Sequence, residues 1–283
     1  MNFKNVFIQP NLNFRHLCEE VPDQADFRMH LHDRFELLYF IKGHANFVIE
    51  TTVYELHPHS LVITRPMESH QLKILSEKPY ERYTMHFPQE LIDIVDPTQK
   101  LTVPFLDRPL GINNVFHASE FSISPIDFFT AMEAPYTNDA ERFTNITVNL
   151  YALLAQLYEA YAHKRQNPFE NEQSPVYEIV KYINQHLFEP LSIKSIAATF
   201  YLNDSQLSRI FKKAAGIPLW DYIVSKRLIS ARKLIRAGTP ATSAYYQCGF
   251  KDYSSFYRLY IKKFKTSPKE DYVKKEFLFT DEY

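Results

Sequence analysis

Two rhythms of apolar residues divide the chain. Between residues 27 and 87 they come in short runs: FELLYFI (35–41), ANFVIE (45–50), VYEL (53–56), SLVITRP (60–66) and YERYTMHF (80–87). Some runs alternate with polar residues and others are apolar throughout. That mixture at regular spacing predicts strands of a small barrel or sandwich, a few of them covered on both sides. The stretch before Phe27 is read as a leader of little content, with Met1 to Phe14 polar and interrupted by Pro10. Prolines at 88, 97, 104, 109, 125 and 135 interrupt periodicity, so 88–137 is expected to hold loops, a returning strand and a short helix over 126–132. Beyond it the period becomes helical. Residues 142–163 place Phe143, Ile146, Leu150, Leu153, Leu154, Leu157 and Tyr161 on one broad face, wide enough to pack partly on the barrel and partly on a second copy.

Two shorter stripes follow. Ile193, Ile196, Ala197 and Phe200 recur at i, i+3, i+4, i+7, with Ser192 placed to cap the first turn. Leu207, Ile210, Phe211 and Ala214 form the next stripe, which Asn203 is placed to cap and Gly216 to end. Only Tyr201, Leu202 and Asn203 separate the two. Short amphipathic helices joined by such a turn make a helix-turn-helix, whose second helix enters the major groove of DNA. Its outward set is Ser205, Gln206, Ser208, Arg209, Lys212 and Lys213. Hydroxyls and a forked guanidinium hydrogen-bond base edges, and lysines neutralise phosphates.

The pattern then repeats. Arg258 falls where Arg209 does, Phe256 matches Leu207, Tyr260 matches Phe211, and Asp252 takes the capping place, with one extra residue in the turn. The outward set of this copy is Ser254, Ser255, Tyr257, Arg258, Lys262 and Lys263. Residues 219–237 between the copies read as one helix of about 28 Å at ~1.5 Å per residue. A spacer of that size holds two reading heads near the ~34 Å repeat of B-DNA.

These residues carry a resemblance. Residues 175–275 resemble the DNA-binding domain of the AraC/XylS transcription regulators, through LSRIFKKAAG (207–216) in the first unit and CGFKDYSSFYR (248–258) followed by KTSP (265–268) in the second. Tyr201 and Lys265 stand where the family has glycine, Tyr245 where it has alanine and Ile261 where it has lysine. The resemblance implies base reading from both second helices, at Ser205, Ser208, Arg209, Ser254, Tyr257 and Arg258.

Charge sharpens the division. The 283 residues suffice for two domains and carry a net charge of −1. From residue 174 onward there are 18 basic against 10 acidic side chains, a net of +8, which leaves −9 for the first 173. The basic part is the part with the paired helices, as counterion release from DNA requires. Two cysteines, Cys18 and Cys248, form no metal or redox spacing, so no disulfide framework is expected. Without a secretory signal pattern or a membrane-length apolar run, a cytoplasmic protein is expected.

In the acidic part, HLHDRFELLYFIKG (30–43) resembles the first cupin motif, His-x-His-x3-Glu-x6-Gly, with His30, His32, Glu36 and Gly43 at matching positions. His70 sits where the second motif supplies its histidine. In metal-binding cupins these four residues ligate one divalent ion, since i and i+2 of a strand share a face and imidazole with carboxylate suits Fe, Mn, Ni or Zn. The second motif here lacks its glycine and is one residue short. AraC-type regulators keep this outline at the mouth of a sensor barrel for a small organic ligand, so His30, His32, Glu36 and His70 are expected to contact an effector, with no cofactor, and metal ligation is the alternative. Tyr83 and His86 are candidates for the same pocket, each equally readable as a core residue.

The expected architecture is a two-domain α+β protein. Residues 1–165 form a cupin-like β-barrel with helices that binds effector and dimerises, 166–175 a linker, and 176–283 an all-α domain with two helix-turn-helix motifs joined by a long helix. The expected function is that of a sequence-specific regulator on double-stranded DNA, an activator by family habit and not an enzyme. It is expected to be homodimeric, controlled by a sugar or other small metabolite, and to have RNA polymerase as a candidate partner. Two alternatives stand beside it: a metal-dependent cupin enzyme with a DNA-targeting domain, and a regulator that needs no effector.

Overall fold

The computed structural model describes residues 2–166 and 176–273, so nearly all of the expected linker lies outside the described residues. The chain divides into two compact units, Met1–His30 with Arg34–Gln173 and Leu31–Asp33 with Ser174–Tyr283.

The first unit is built on strands β1 (Asn2–Gln9), β2 (Leu12–Glu19), β3 (Phe35–Lys42), β4 (Ala45–Ile49), β5 (Thr52–Glu55), β6 (Ser60–Thr64), β7 (His70–Ile74), β8 (Tyr80–Phe87) and β9 (Val115–His117). They pair antiparallel in two sheets, ordered β1-β2-β8-β3-β6-β9 and β5-β4-β7. The sheets meet over one apolar cluster, with Leu38, Phe40, Val62 and Tyr80 from the larger and Phe47, Ile49 and Leu72 from the smaller. Of the two shapes expected, the sandwich is therefore the one formed, since no hydrogen-bonded ladder closes the sheets into a barrel among the described strands.

Short helices α1 (Gln89–Asp93) and α2 (Val103–Leu106) follow, then α3 (Pro125–Met132) and α4 (Asp139–Gln166). The other face of the larger sheet lies under these helices, where Phe14, Tyr39, Tyr83 and Met85 pack with Phe129, Met132, Leu150, Leu154 and Leu157. Successive strand residues point to opposite faces. Thus Tyr39 turns to the helices while Leu38 and Phe40 turn to the smaller sheet, which is why the β3 run is apolar throughout. The broad face of α4 is spent largely inside its own unit, with Ile146, Leu150, Leu153, Leu154, Leu157 and Tyr161 all buried. The supposed leader is in fact the β1–β2 hairpin, whose register runs from Asn2↔Cys18 to Gln9↔Leu12 and buries Leu12 and Phe14 completely.

A buried ion pair pins the 104–114 loop. Glu68, fully buried, receives Arg108 Nη1 at 2.8 Å and Nη2 at 2.7 Å, the Gly111 N–H at 2.8 Å and the Asn114 amide at 3.0 Å. Arg108 also donates through Nε to the Pro104 carbonyl at 3.1 Å. Gly111 has φ +73° and its missing side chain would fall 2.8 Å from the Ile49 carbonyl, so glycine is required for the loop to come this close.

The second unit is helical: α5 (Tyr177–Gln185), α6 (Ile193–Thr199), α7 (Asp204–Ala215), α8 (Leu219–Arg236), α9 (Ala241–Gln247), α10 (Tyr253–Phe264) and α11 (Pro268–Val273). Ser192 and Asn203 each form a reciprocal cap with the residue three positions on, and Gly216 ends α7 at φ +75°. Asp252 accepts from the Ser254 and Ser255 N–H groups. Buried Arg227 on α8 donates to the carbonyls of Leu187 at 2.7 Å, Glu189 at 2.7 Å and Gly249 at 2.8 Å, and so joins the ends of α5 and α9 to the central helix.

Both positions where the family pattern has glycine and this chain does not are left-handed: Tyr201 at φ +56° and Lys265 at φ +58°. Tyr201 is 98% exposed, so its ring packs on nothing that substitution would remove. Relief of a left-handed side chain is worth roughly 1–2 kcal/mol, and the added freedom of a glycine in the unfolded chain takes back about 0.5–1 kcal/mol. Tyr201→Gly is therefore expected to raise the melting temperature by a few degrees; a scanning-calorimetry trace with a lower midpoint would contradict this.

Candidate DNA interface and effector site

The second helices of the two helix-turn-helix units, α7 and α10, present matching surfaces. On α7, Leu207, Phe211 and Ala215 are buried; Ser205, Gln206, Arg209, Lys212 and Lys213 are exposed, and Ser208 is half-buried. The Gln206 amide oxygen accepts the Asn203 N–H at 3.1 Å, which commits that end of the side chain to the cap and leaves its amide nitrogen facing outward chemistry. On α10, Phe256 and Tyr260 are buried, and Ser254, Tyr257, Arg258 and Lys262 are exposed. Ser255 is half-buried, with its hydroxyl 3.3 Å from Arg258 Nη2. Lys263 is also half-buried, and loss of solvent lowers its pKa, which sets it apart from Lys262. Arg209 and Arg258 stand two residues after corresponding core residues, on helices whose N-termini are capped by a side chain.

In the first unit the structure brings together four of the six expected effector residues, His30, Glu36, His70 and His86, while His32 falls in the second unit. One ligand atom from each of His30, Glu36 and His70 lies within 4.8 Å of the others. A Glu36 carboxylate oxygen is 2.9 Å from His70 Nε2 and 3.4 Å from His86 Nε2. Register explains the last contact, because Glu36 and His86 are directly opposite on β3 and β8. His30 and His70 exchange both backbone hydrogen bonds, at 3.0 and 2.9 Å. Their second ring nitrogens face the carbonyls of Arg28 and Glu68, both at 2.8 Å. Burial pulls the His70 pKa down, but the charge and hydrogen bond of Glu36 outweigh it and the net direction is up. Donor atoms about 2 Å from a shared ion lie roughly 3–4 Å apart, so this set fits a divalent cation with small side-chain adjustments.

Tyr83 is not part of that cluster. Three residues from His86 along a strand, it faces the helices, stacks on Phe129 at 5.0 Å and donates to Glu133 at 2.8 Å. Its pKa is raised by burial and by Glu133. The bland reading of Tyr83 as a satisfied core residue is the one the geometry supports. A further group had no counterpart in the sequence reading: Tyr80, Arg82 and Thr84 share with His86 the face of β8 turned to the smaller sheet, and all three are buried. Strand alternation was the one signal that could have found them.

The family model described as AraC-like ligand binding domain matches residues 17–110, and the model described as helix-turn-helix domain matches residues 196–272. The chain is similar to the uncharacterized HTH-type transcriptional regulator YobQ of Bacillus subtilis, 22% identical over 254 residues that cover 89% of this chain and 92% of YobQ. It is also similar to the HTH-type transcriptional activator RhaS of Enterobacter sp., 31% identical over 102 residues, 36% of this chain and 37% of RhaS. The chain thus spans little more than a third of that activator's length. Among solved structures, ToxT from Vibrio cholerae is similar at 13% identity and a TM-score of 0.38, with 95% of this chain and 98% of ToxT covered.

Proposed function

The chain belongs to the AraC family of transcription regulators, with an AraC-like ligand-binding domain ahead of a helix-turn-helix domain, and on that premise we propose that α7 and α10 read the two major-groove segments of one operator. The observation that carries this reading is the pair of exposed guanidinium groups, Arg209 and Arg258, at equivalent places on capped helices. Arg is the side chain that pairs bidentately with guanine in the major groove. Ser205, Ser208, Gln206, Ser254 and Tyr257 flank these two as base-edge or sugar contacts, Ser255 holds Arg258, and Lys212, Lys213 and Lys262 neutralise phosphates. Lys263 contributes least, because it is partly withdrawn from solvent.

Arg209→Ala is expected to cost about 1–3 kcal/mol in operator affinity and to relax the preference at one base position. Selection of bound duplexes from a random pool reads both effects. An unchanged consensus for the variant would remove Arg209 from the base contacts.

In this reading residues 1–165 sense a small organic effector, 166–175 link the domains, and 176–283 bind DNA. The cluster of His30, Glu36, His70 and His86 supports an effector contact at the edge of the strand-rich unit. Effector binding shifts the DNA-competent population only as far as the effector prefers that state. The protein works as a cytoplasmic homodimeric activator without enzymatic activity, in contact with RNA polymerase. The ridge of α4 around Val148, 60% exposed, and the groove it lines with Tyr136, Ala140 and Thr144 give the second copy a surface that the buried face of α4 does not.

A second reading has its own observation. Convergence of donor atoms from His30, Glu36 and His70 within 4.8 Å suits a divalent ion, and would make the unit a metal-dependent cupin enzyme or a metal sensor. Elemental analysis of the purified protein separates the two: stoichiometric metal lost in His70→Ala together with a catalytic activity favours the enzyme.

A further inference from the structure

We propose that the face of β8 turned to the smaller sheet receives the carboxylate of a small organic monoanion, with Arg82 as its ion-pairing group and Tyr80 as a second donor. The proposal rests on the sensor reading above and gives the effector its chemical class.

Arg82 lies on β8 between Leu17 of β2 and Phe40 of β3, and is 9% exposed. Its guanidinium stacks over the ring of Phe27 at 4.8 Å and over that of Tyr80 at 5.0 Å. Yet Nε and Nη1 are buried and make no hydrogen bond among the described residues. No carboxylate oxygen is paired with it within 4.0 Å among them. A guanidinium does not shed its proton, so a buried one with open donors carries a standing cost that an anion relieves.

Two other buried charges of this unit are handled differently. Glu68 is met by Arg108 and three further donors, the N–H groups of Arg65 and Gly111 and the Asn114 amide. On the opposite face of β8, Glu81 is met by Lys4 at 2.5 Å, His16 at 2.8 Å and Lys42 at 3.2 Å. Arg82 breaks that pattern, and it does so beside other open groups.

The Tyr80 hydroxyl, 1% exposed, lies against the Arg82 guanidinium but short of hydrogen-bond geometry. Across from Tyr80 on β2 stands Glu19, 5% exposed, with one carboxylate oxygen unpartnered among the described residues. One cation, one hydroxyl and one neighbouring carboxylate set the preference: they suit a singly charged acid, and Glu19 repels a phosphate dianion. Phe27, Phe40, Phe47 and Leu72 in the same cluster offer an apolar body its surroundings.

The test uses the full-length protein, with hexanoate and phenylacetate as probes, hexanol and phenylacetamide as neutral counterparts, and inorganic phosphate as a bare anion. Calorimetric titration and melting temperature are read alongside operator affinity. The acids are expected to bind and raise the melting temperature, the neutral compounds to bind roughly tenfold to a hundredfold more weakly, and phosphate to leave the protein unchanged. Arg82→Gln is expected to erase the advantage of the acids, and Tyr80→Phe, which keeps the stacking ring, to weaken them by about threefold to tenfold. Arg82→Met is expected to raise the melting temperature of the ligand-free protein, since a strut would lower it.

Neutral compounds binding as tightly as acids, or acids binding Arg82→Gln as wild type, would overturn the carboxylate assignment while leaving the sensor reading in place. Tighter binding of phosphate would overturn it too. If no compound of either kind binds or alters operator affinity, the assignment and the sensor reading fall together.

Discussion

Arg108→Met is expected to lower the stability of the strand-rich unit by about 3–5 kcal/mol, the usual cost of leaving one charge of a buried pair without its partner. Glu68 would keep the Gly111 and Asn114 donors but lose both guanidinium bonds at zero exposure of either side chain. Replacing both, as Glu68→Leu with Arg108→Met, removes the stranded charge and is expected to recover part of the loss. Urea titration followed by circular dichroism, with hydrogen exchange assigning the transition to residues 2–166, checks both. An unchanged midpoint for the single variant would show that the pair contributes nothing.

The same pair fixes an acid limb. Burial alone would raise the Glu68 pKa, but the charge and hydrogen bonds of Arg108, the Gly111 N–H and Arg65 hold it at about 2 against an ordinary 4.5. A carboxyl depressed in the folded state contributes fully above its unfolded value and loses that contribution as pH falls through the folded one. Stability from Glu68 is thus expected to be constant above about pH 4.5 and to decline from there toward pH 2. Arg108→Met should flatten that decline.

Arg227→Met is expected to be as damaging in the helical unit, at about 2–5 kcal/mol, because the Leu187 and Gly249 carbonyls lose their donor, the Glu189 carbonyl keeps only the Leu191 N–H, and a buried acceptor left unmet costs about 1–3 kcal/mol. Lysine does not restore it, since one ammonium cannot reproduce a planar fork reaching Leu187, Glu189 and Gly249 at once. Gly249 belongs to the same joint: a side chain there would come within 2.7 Å of the Phe188 carbonyl and 3.0 Å of the guanidinium carbon. Operator affinity should fall at both half-sites together, whereas Arg209→Ala weakens one and leaves the fold alone. Arg227→Lys with wild-type melting and wild-type affinity would sink the assignment.

What could be read from sequence was what is written locally. Ser192, Asn203 and Gly216 mark helix ends within a few residues of the apolar stripes they bound, and the structure caps and ends α6 and α7 at those residues. His30 and Glu36 share a short segment, and His70 came with them by resemblance, so their proximity had a local signature. The β1–β2 hairpin was hidden because Asn5, Asn13 and Arg15 dilute its alternation and Pro10 reads as a break where it serves as the turn. Tyr83 was grouped with His86 by proximity in the sequence, and the two-residue period of a strand separates them. The Glu68–Arg108 pair spans 40 positions, and the open donors of Arg82 depend on what the rest of the sheet fails to place beside it. Neither has a local signature.

The central helix α8 leaves the helical unit little room to adapt. Eighteen residues of uninterrupted helix, buried along Tyr222, Ile223, Leu228, Ala231 and Ile235 and tied through Arg227 to the ends of two others, resist both stretching and twisting. Any mismatch between the separation of α7 and α10 and the groove repeat therefore falls on the nucleic acid. An operator rich in flexible pyrimidine–purine steps between the contacted bases absorbs that mismatch cheaply, and a stiff A-tract in the same place does not. Bases that no side chain touches would then be selected through the bendability of the duplex.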